Sequence, residues 1–210
     1  MGEASKSFLT NVPPMGIYET LYAFQDAFGT YMGNKGTHPW SQGFPLTTQL
    51  PEGPEMPENI YVNAEDLKYP KAWGLPELRE AIADYYNHYY SAGIDQENIM
   101  VFAGGRPGLI ALLMFLQQDI HIRIAGTEYT PYYDMLRLLK REYSIVESHV
   151  DNSFFPTVQD YVNPVHGDRN LVMLSNPCNP TGVTRTGDEL QALVNKASYG
   201  SFGLLIDEAY

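Results

Sequence analysis

Cysteine is almost missing from this sequence, since Cys178 is the only one among 210 residues. A single thiol excludes an internal disulfide and leaves no cysteine cluster that could hold a metal ion. Long hydrophobic runs are missing too, because no stretch approaches the roughly 20 apolar residues that cross a bilayer. The first residues, MGEASKSFLTN, lack the charged start and apolar core of a secretory signal. We therefore expect no membrane association and a cytoplasmic location.

Basic residues are also few, with 13 Lys and Arg against 25 Asp and Glu, for a net charge of −12. This charge would repel a phosphate backbone, and no run of Lys and Arg opposes it, so we do not expect a nucleic acid partner. The five histidines show no metal-ligand spacing, and we expect no metal site. What the chain does contain is 44% apolar residues, enough to bury a core at this length.

Proline and glycine are concentrated in residues 11–63, where residues 15–31 have the pattern of a helix. We interpret residues 1–63 as an N-terminal arm with part of a small domain. From Leu75 onward, apolar residues recur at intervals of three and four, with Pro76 at the start, which predicts an amphipathic helix. Four apolar runs then alternate with three helical stretches: runs at 99–103, 120–125, 171–175 and 204–207, and helices at 108–118, 131–143 and 188–197.

This alternation predicts an α/β fold with a mainly parallel sheet and helices on both faces, because parallel neighbours need long crossover connections. In such sheets, ligands bind at the carboxyl ends of the strands. Three polar segments follow predicted strands: AGGRPG at 103–108, NPCNPTG at 176–182 and DEAY at 207–210. These segments are therefore the candidates for a ligand site.

Each segment offers a different chemistry. Two glycines before a helix let backbone N–H groups approach a phosphate, although such glycines also form simple turns. Two Asn-Pro steps make a rigid polar loop that can present the Asn179 amide, unless that side chain only bonds the backbone. Asp207 follows an apolar strand, where a carboxylate needs a cationic partner.

Two nucleotide-binding alternatives fail on the sequence. An ATPase with an apolar strand before Asp-Glu would need a Gly-Lys-Ser/Thr phosphate loop upstream, and the chain contains none. The glycine cluster GGRPG does not match the G-x-G-x-x-G fingerprint of dinucleotide-binding folds.

Together, these segments resemble the aspartate aminotransferase family of pyridoxal-phosphate enzymes, known as fold type I. KYPKAWGLPELREAIADYY at 68–86 is similar to the segment leading into the first helix of the large domain. AGGRPGL is similar to the phosphate turn, SNPCNPTG to the characteristic loop and LIDEAY to the cofactor strand. The resemblance implies a three-layer αβα sandwich, in which residues 64–210 form the first part of the cofactor-binding large domain, truncated at its end.

The resemblance also implies roles for individual residues around pyridoxal phosphate. Asp207 would bond the pyridine nitrogen and keep it protonated, which makes the ring an electron sink. Tyr210 and Asn179 would hold the phenolic oxygen of the ring, and Asn179 would also lie beside the substrate. Tyr129, in TEYTPYY, would stack on the ring.

The remaining implied contacts concern the phosphate, the substrate and a second subunit. Gly104, Gly105 and Arg106 would supply backbone N–H groups to the phosphate. Many relatives carry a Ser or Thr hydroxyl in this turn, so the arginine is a departure from the family pattern. Tyr69 would reach the phosphate of a neighbouring subunit in a homodimer, and Gly43 would leave room beside the substrate.

The family's cofactor-binding lysine, which forms a Schiff base with pyridoxal phosphate, would lie beyond the last residue, as would the arginine that binds the substrate carboxylate. We therefore interpret the chain as a truncation. None of its lysines occupies a matching position: Lys6, Lys35, Lys68, Lys71, Lys140 and Lys196.

The implied function is an aminotransferase that moves an amino group between an amino acid and a 2-oxo acid. Other pyridoxal-phosphate reactions, namely β-elimination, decarboxylation and cyclisation, use the same cofactor site and remain open alternatives. A non-catalytic, ligand-responsive regulator would need a DNA-binding helix-turn-helix, and the N-terminal arm is neither basic nor helix-rich enough to supply one.

Overall fold

The computed structural model describes residues 16–40, 53, 55–163, 169–198 and 202–209. The chain divides into two compact units, Met1–Ile60 and Tyr61–Tyr210. In the first unit, helix α1 spans Gly16–Phe28 and ends at Gly29, whose φ of +66° suits a residue without a side chain. A helix in this segment was predicted from the sequence. The division into an arm with part of a small domain at 1–63 and a large domain from residue 64 stays a prediction.

The second unit opens with helix α2, which spans Pro76–Tyr90. Leu75 before it is extended and Pro76 occupies the first turn, where a missing N–H costs nothing. The buried Arg79 fastens the helix to the following turn, donating to the carbonyls of Gln96 at 2.6 Å and Ile99 at 2.9 Å. The helix predicted from the spacing of apolar residues is confirmed.

A four-stranded parallel sheet forms the centre of this unit. Its strands are β1 (His121–Ala125), β2 (Tyr143–Val146), β3 (Asn170–Ser175) and β4 (Phe202–Asp207), in the order β2-β1-β3-β4. The other helices of the unit are α3 (Gly105–Phe115), α4 (Pro131–Leu138), α5 (Val158–Val162) and α6 (Gly187–Ser198). Short 3-10 turns lie at Gln96–Asn98 and Val150–Asn152.

The two faces of the sheet bury separate sets of apolar side chains, because successive residues of a strand point to opposite sides. On β3, Leu171 and Met173 pack with residues of α3 and α4, whereas Val172 and Leu174 pack with residues of α5 and α6. Every residue of β3 is buried, as expected for a central strand covered on both sides. The predicted three-layer αβα architecture is confirmed.

Two details of the sequence-based assignment are wrong. Residues 99–103 were predicted to be a strand, but this segment has no sheet neighbour among the described residues. Its backbone bonds instead to Trp73, whose carbonyl accepts from the Val101 amide at 3.0 Å, and the Phe102 side chain remains 40% exposed. An apolar run alone does not decide whether a strand finds a partner.

The second error concerns residues 131–143, which were predicted to form one helix. Helix α4 ends at Leu138, because Lys140 adopts a left-handed φ of +52° and the Arg141 amide turns back to the Leu136 carbonyl at 2.9 Å. The chain then enters β2, which the sequence analysis missed. A short strand at the edge of a sheet carries little periodicity by which to recognise it.

Candidate cofactor site

The carboxyl ends of β1, β3 and β4 bring distant segments of the chain to one edge of the sheet. Ser175, the last residue of β3, pairs with Asp207, the last residue of β4. The pairing continues one step further, since the Asn176 amide donates to the Asp207 carbonyl at 2.9 Å. The loop with the two Asn-Pro steps therefore begins beside the Asp207 carboxylate, as the ligand-binding rule for parallel sheets requires.

A pocket of about 260 Å³ opens at this edge. Its volume is near the lower end of the range for small-molecule sites, roughly 300 Å³. It joins five of the residues singled out from the sequence to five others: Gly105, Arg106, Tyr129, Asn179 and Asp207, with Leu109, Tyr132, Ser175, Pro177 and Ala209. The structure thus brings together residues that lie up to about a hundred positions apart in the sequence.

Asp207 is half-buried and one of its oxygens is held in place. The Tyr132 hydroxyl donates to Asp207 Oδ2 at 2.6 Å, and the Tyr132 side chain is fully buried. Burial, and then the neighbouring carboxylate, raise the pKa of Tyr132 far above its ordinary value, so the hydroxyl stays a donor. The carboxylate is thereby fixed, and Oδ1, which Tyr132 does not contact, can accept a bond from a cationic N–H group.

Tyr129 forms one wall of the pocket. Its ring meets Tyr132 edge to face, with centroids 5.3 Å apart and planes at 86°. Arg106 contacts the same ring, with its guanidinium carbon 5.6 Å from the centroid and its Nε donating to the hydroxyl at 2.7 Å. These contacts hold the tyrosine in an orientation from which it can cover a planar ligand.

The amino end of helix α3 lies at the pocket. Gly104 caps the helix with a φ of +103°, a conformation that side chains disfavour. At Gly105, which lines the pocket, a Cβ would meet no atom within 4 Å outside its chain neighbours and its own helix. The partial positive charge at the start of an 11-residue helix therefore lies beside an open space, an arrangement that suits a phosphate.

Asn179 lies in the loop after β3, where internal bonds define its position. The Asn179 amide donates to Ser175 Oγ at 3.0 Å, and the Gly182 amide donates to the Cys178 carbonyl at 2.7 Å. Asn176 secures the far end of the loop by exchanging bonds with the Arg185 backbone, at 3.1 and 2.7 Å. Asn179, which lines the pocket, is thus held in place by a closed, well-bonded turn.

Four predicted site residues are not placed in this pocket. Gly104 does not line it, and its backbone N–H donates to the Phe102 carbonyl at 2.8 Å. Tyr69 is fully exposed and does not line it, so its contact with a neighbouring subunit stays a prediction. Gly43 and Tyr210 lie outside the described residues. Their proposed roles beside the substrate and the phenolic oxygen also stay predictions.

The structure adds three polar residues that the sequence analysis missed: Tyr132, Ser175 and Glu128. Each supports a pocket residue by a contact across 4 to 75 positions of sequence. The sequence offered one signal, since a Glu and a Ser beside apolar strands must find polar partners if they are buried.

The part of the chain that the structure describes contains no group of histidine, cysteine and acidic side chains that could hold a metal ion. None of its helices is both long enough and apolar enough to cross a membrane.

The chain is similar to one protein family over most of its length. The model of the family "Aminotransferase class I and II" matches residues 38–210. An aspartate aminotransferase of Thermotoga maritima is 26% identical over 172 residues, covering 79% of this chain and 45% of that protein. A valine–pyruvate aminotransferase of Mycobacterium tuberculosis is 28% identical over 153 residues, covering 71% of this chain and 38% of that protein.

The fold is similar to that of solved aminotransferases. The structure of Thermus thermophilus aspartate aminotransferase with maleate has a TM-score of 0.63 and 26% identity, covering 68% of this chain and 38% of that one. The chain spans less than half the length of the curated relatives it matches. Because the family model matches most of the chain, this protein belongs to the class I and II aminotransferases, a family that is generally pyridoxal-phosphate-dependent.

Proposed function

We propose that the protein containing this chain transfers an amino group between an amino acid and a 2-oxo acid, with pyridoxal phosphate bound in the pocket. The observation that carries the proposal is the fixed Asp207 carboxylate, which lines the same pocket as the amino end of α3 and the Tyr129 ring. A carboxylate, an anion site and an aromatic wall are the groups that a phosphorylated pyridine requires.

When bound, pyridoxal phosphate would supply an electron-withdrawing ring that stabilises negative charge at the substrate Cα. Asp207 would hold a proton at the pyridine nitrogen, which keeps the ring electron-poor. The backbone amides of Gly105 and Arg106 would bind the phosphate, and Tyr129 would cover the ring. The Gly104 amide, predicted to join them, would first have to leave the Phe102 carbonyl. Asn179, together with Tyr210, would bond the phenolic oxygen.

The Schiff base, the substrate contacts and the homodimer depend on residues outside the pocket. The family's lysine and substrate-binding arginine have no counterpart that we assign among these 210 residues. We further propose a homodimer in which Tyr69 reaches the neighbouring site, and its full exposure supports a contact with a second copy. Gly43 is proposed to lie at the substrate. The cytoplasmic location expected from the sequence also stays a prediction.

The proposal is tested with the full-length protein loaded with pyridoxal phosphate. Adding an amino acid should change the visible absorption of the cofactor and release the matching 2-oxo acid, and a second 2-oxo acid should then restore the spectrum. Mass spectrometry of the products identifies the reaction. Release of ammonia or carbon dioxide in place of a 2-oxo acid would reject transamination in favour of β-elimination or decarboxylation.

The Arg106 side chain, a departure from the family pattern, is expected to strengthen phosphate binding. We expect Arg106→Gln to weaken the affinity for pyridoxal phosphate about 10-fold, because a charge-assisted bond to an exposed anion is lost. The affinity for pyridoxal, which has no phosphate, should change less than about 2-fold. Equal losses for both ligands would show instead that Arg106 acts through the Tyr129 ring. Arg137→Gln, at a largely exposed arginine of α4, is the matched control.

A further inference from the structure

Glu128 is a buried acid that the proposed function does not use. It lies in the loop between β1 and α4 and is only 3% exposed. Its Oε2 accepts from the Ser175 amide at 3.1 Å and from the Ser175 hydroxyl at 2.5 Å. One side chain from the β1–α4 loop is therefore bonded to the last residue of β3, where the loop that carries Asn179 begins.

The direction of these bonds makes a relay toward Asn179. A serine hydroxyl has one proton, and Ser175 donates it to Glu128, so its oxygen can only accept elsewhere. That oxygen accepts a hydrogen bond from the backbone N–H of Asn179, with a donor–acceptor distance of 3.0 Å. Asn179 N–H, Ser175 O–H and the Glu128 carboxyl thus form a chain of bonds in which each member orients the next.

No cation pairs directly with Glu128 among the described residues. The charge of Arg185 lowers the pKa of the carboxyl, but this arginine is 6% exposed and donates to the Pro156 carbonyl. Its guanidinium carbon lies 4.1 Å from the Phe155 ring centroid and 5.2 Å from that of Tyr161. Arg185 therefore acts on the carboxyl only at a distance. Burying a carboxylate without a paired cation costs free energy of folding, which its hydrogen bonds offset only in part. Such a residue is therefore expected to have a role other than stability.

The other polar groups around the carboxyl are neutral donors and acceptors. Tyr133 accepts the Glu128 amide at 3.1 Å and donates to the Ala125 carbonyl at 2.5 Å. The Cys178 thiol donates to the Thr127 carbonyl at 3.3 Å. Burial raises the pKa values of Tyr132 and Tyr161, and electrostatic repulsion by the Glu128 carboxylate raises both further.

We propose that Glu128 is a positioning residue that sets the place of Asn179 through Ser175, and so governs how tightly pyridoxal phosphate is held. The inference rests on the proposed function, because it assumes that the pocket takes this cofactor. It goes beyond the proposed function in naming a buried acid, outside the pocket lining, that controls one of the cofactor contacts.

The test uses the full-length protein and three variants. Ser175→Ala removes the acceptor of the Asn179 amide, Glu128→Leu removes the whole relay, and Glu128→Gln keeps an acceptor of the same length. We expect the first two to weaken pyridoxal phosphate binding about 10-fold and Glu128→Gln less than about 3-fold. Ser175→Ala and Glu128→Leu should also shift the pH midpoint of the absorption change of the bound cofactor by about one unit, since Asn179 is proposed to bond the ring oxygen.

Circular dichroism and thermal unfolding of the cofactor-free protein show whether each variant folds, and Ser175→Ala decides the question if Glu128→Leu does not. Glu147→Gln, at a side chain that is 93% exposed, is the control. Unchanged affinity and pH midpoint in a folded Ser175→Ala protein would overturn the positioning role and leave the aminotransferase proposal standing. A wild-type protein that binds no pyridoxal phosphate would overturn both.

Discussion

Replacing Asp207 with alanine is expected to lower the transamination rate by about 10²–10³-fold, the usual loss when one fixed electrostatic contact to a reacting group is removed. The carboxylate keeps the pyridine nitrogen protonated, and that proton makes the ring able to accept charge from the substrate Cα. The affinity for pyridoxal phosphate should fall by a smaller factor than the rate, because the phosphate is proposed to bind at the amino end of α3. Single-turnover kinetics with a saturating amino acid measure the loss directly.

Two graded variants separate charge from shape at this position. Asp207→Asn keeps the size of the side chain without its charge and should be nearly as slow as alanine. Tyr132→Phe removes only the bond to Oδ2 and should cost about 10-fold, since the carboxylate remains but loses its orientation. Asp84→Asn, at an exposed aspartate of α2, is the matched control. A rate for Asp207→Asn within threefold of wild type would contradict the assigned role.

The second large effect is expected on stability as a function of pH. Burial, only partly offset by the Ser175 bonds, the Tyr129 backbone dipole and the charge of Arg185, raises the pKa of Glu128 from 4.5 to about 7. The folded state therefore binds this proton more tightly than the unfolded state does. The free energy of unfolding must then fall as pH rises from about 4.5 to 7, by about 3 kcal/mol at 1.36 kcal/mol for each pKa unit.

Glu128→Gln should remove this contribution, because glutamine does not titrate. Below pH 4.5 the variant and the wild type should be similar, since both side chains are neutral, and above pH 7 the variant should be more stable by about 3 kcal/mol. Urea unfolding of the cofactor-free protein across this range measures the difference. A constant difference between the two proteins at every pH would contradict a buried, titrating Glu128, and Glu147→Gln should show no such trend.

A Glu128→Gln protein that is more stable than the wild type would fit a general pattern. Residues at binding sites often cost stability because they hold other groups in place. For Glu128, the cost would be the burial of its charge and the gain would be the ordered Asn179 loop. The unfolding experiment therefore measures the cost in stability of burying Glu128, and the binding experiment measures its benefit to cofactor affinity.

The errors of the sequence analysis share one physical origin. The strand predicted at residues 99–103 has the right side chains but no neighbouring strand in the part of the chain that the structure describes. Strand β2 has a neighbour but only a weak sequence pattern. Pairing of strands is a contact between distant parts of the chain, and local periodicity does not report it. Helix α2 was predicted well because its signals, Pro76 at the start and a regular apolar spacing, are local.

The sequence by itself determined the class of the fold and predicted that Asp207 and Asn179 lie at one edge, because parallel α/β topology places the ends of successive strands together. The turn before α3 joined them in the prediction only through the family resemblance, since the segment before it pairs with no strand among the described residues. Only the tertiary structure decided which side chains support them. Tyr132 reaches Asp207 across 75 positions and Glu128 reaches Ser175 across 47, and hydrogen bonds at such separations depend on packing that no local pattern encodes.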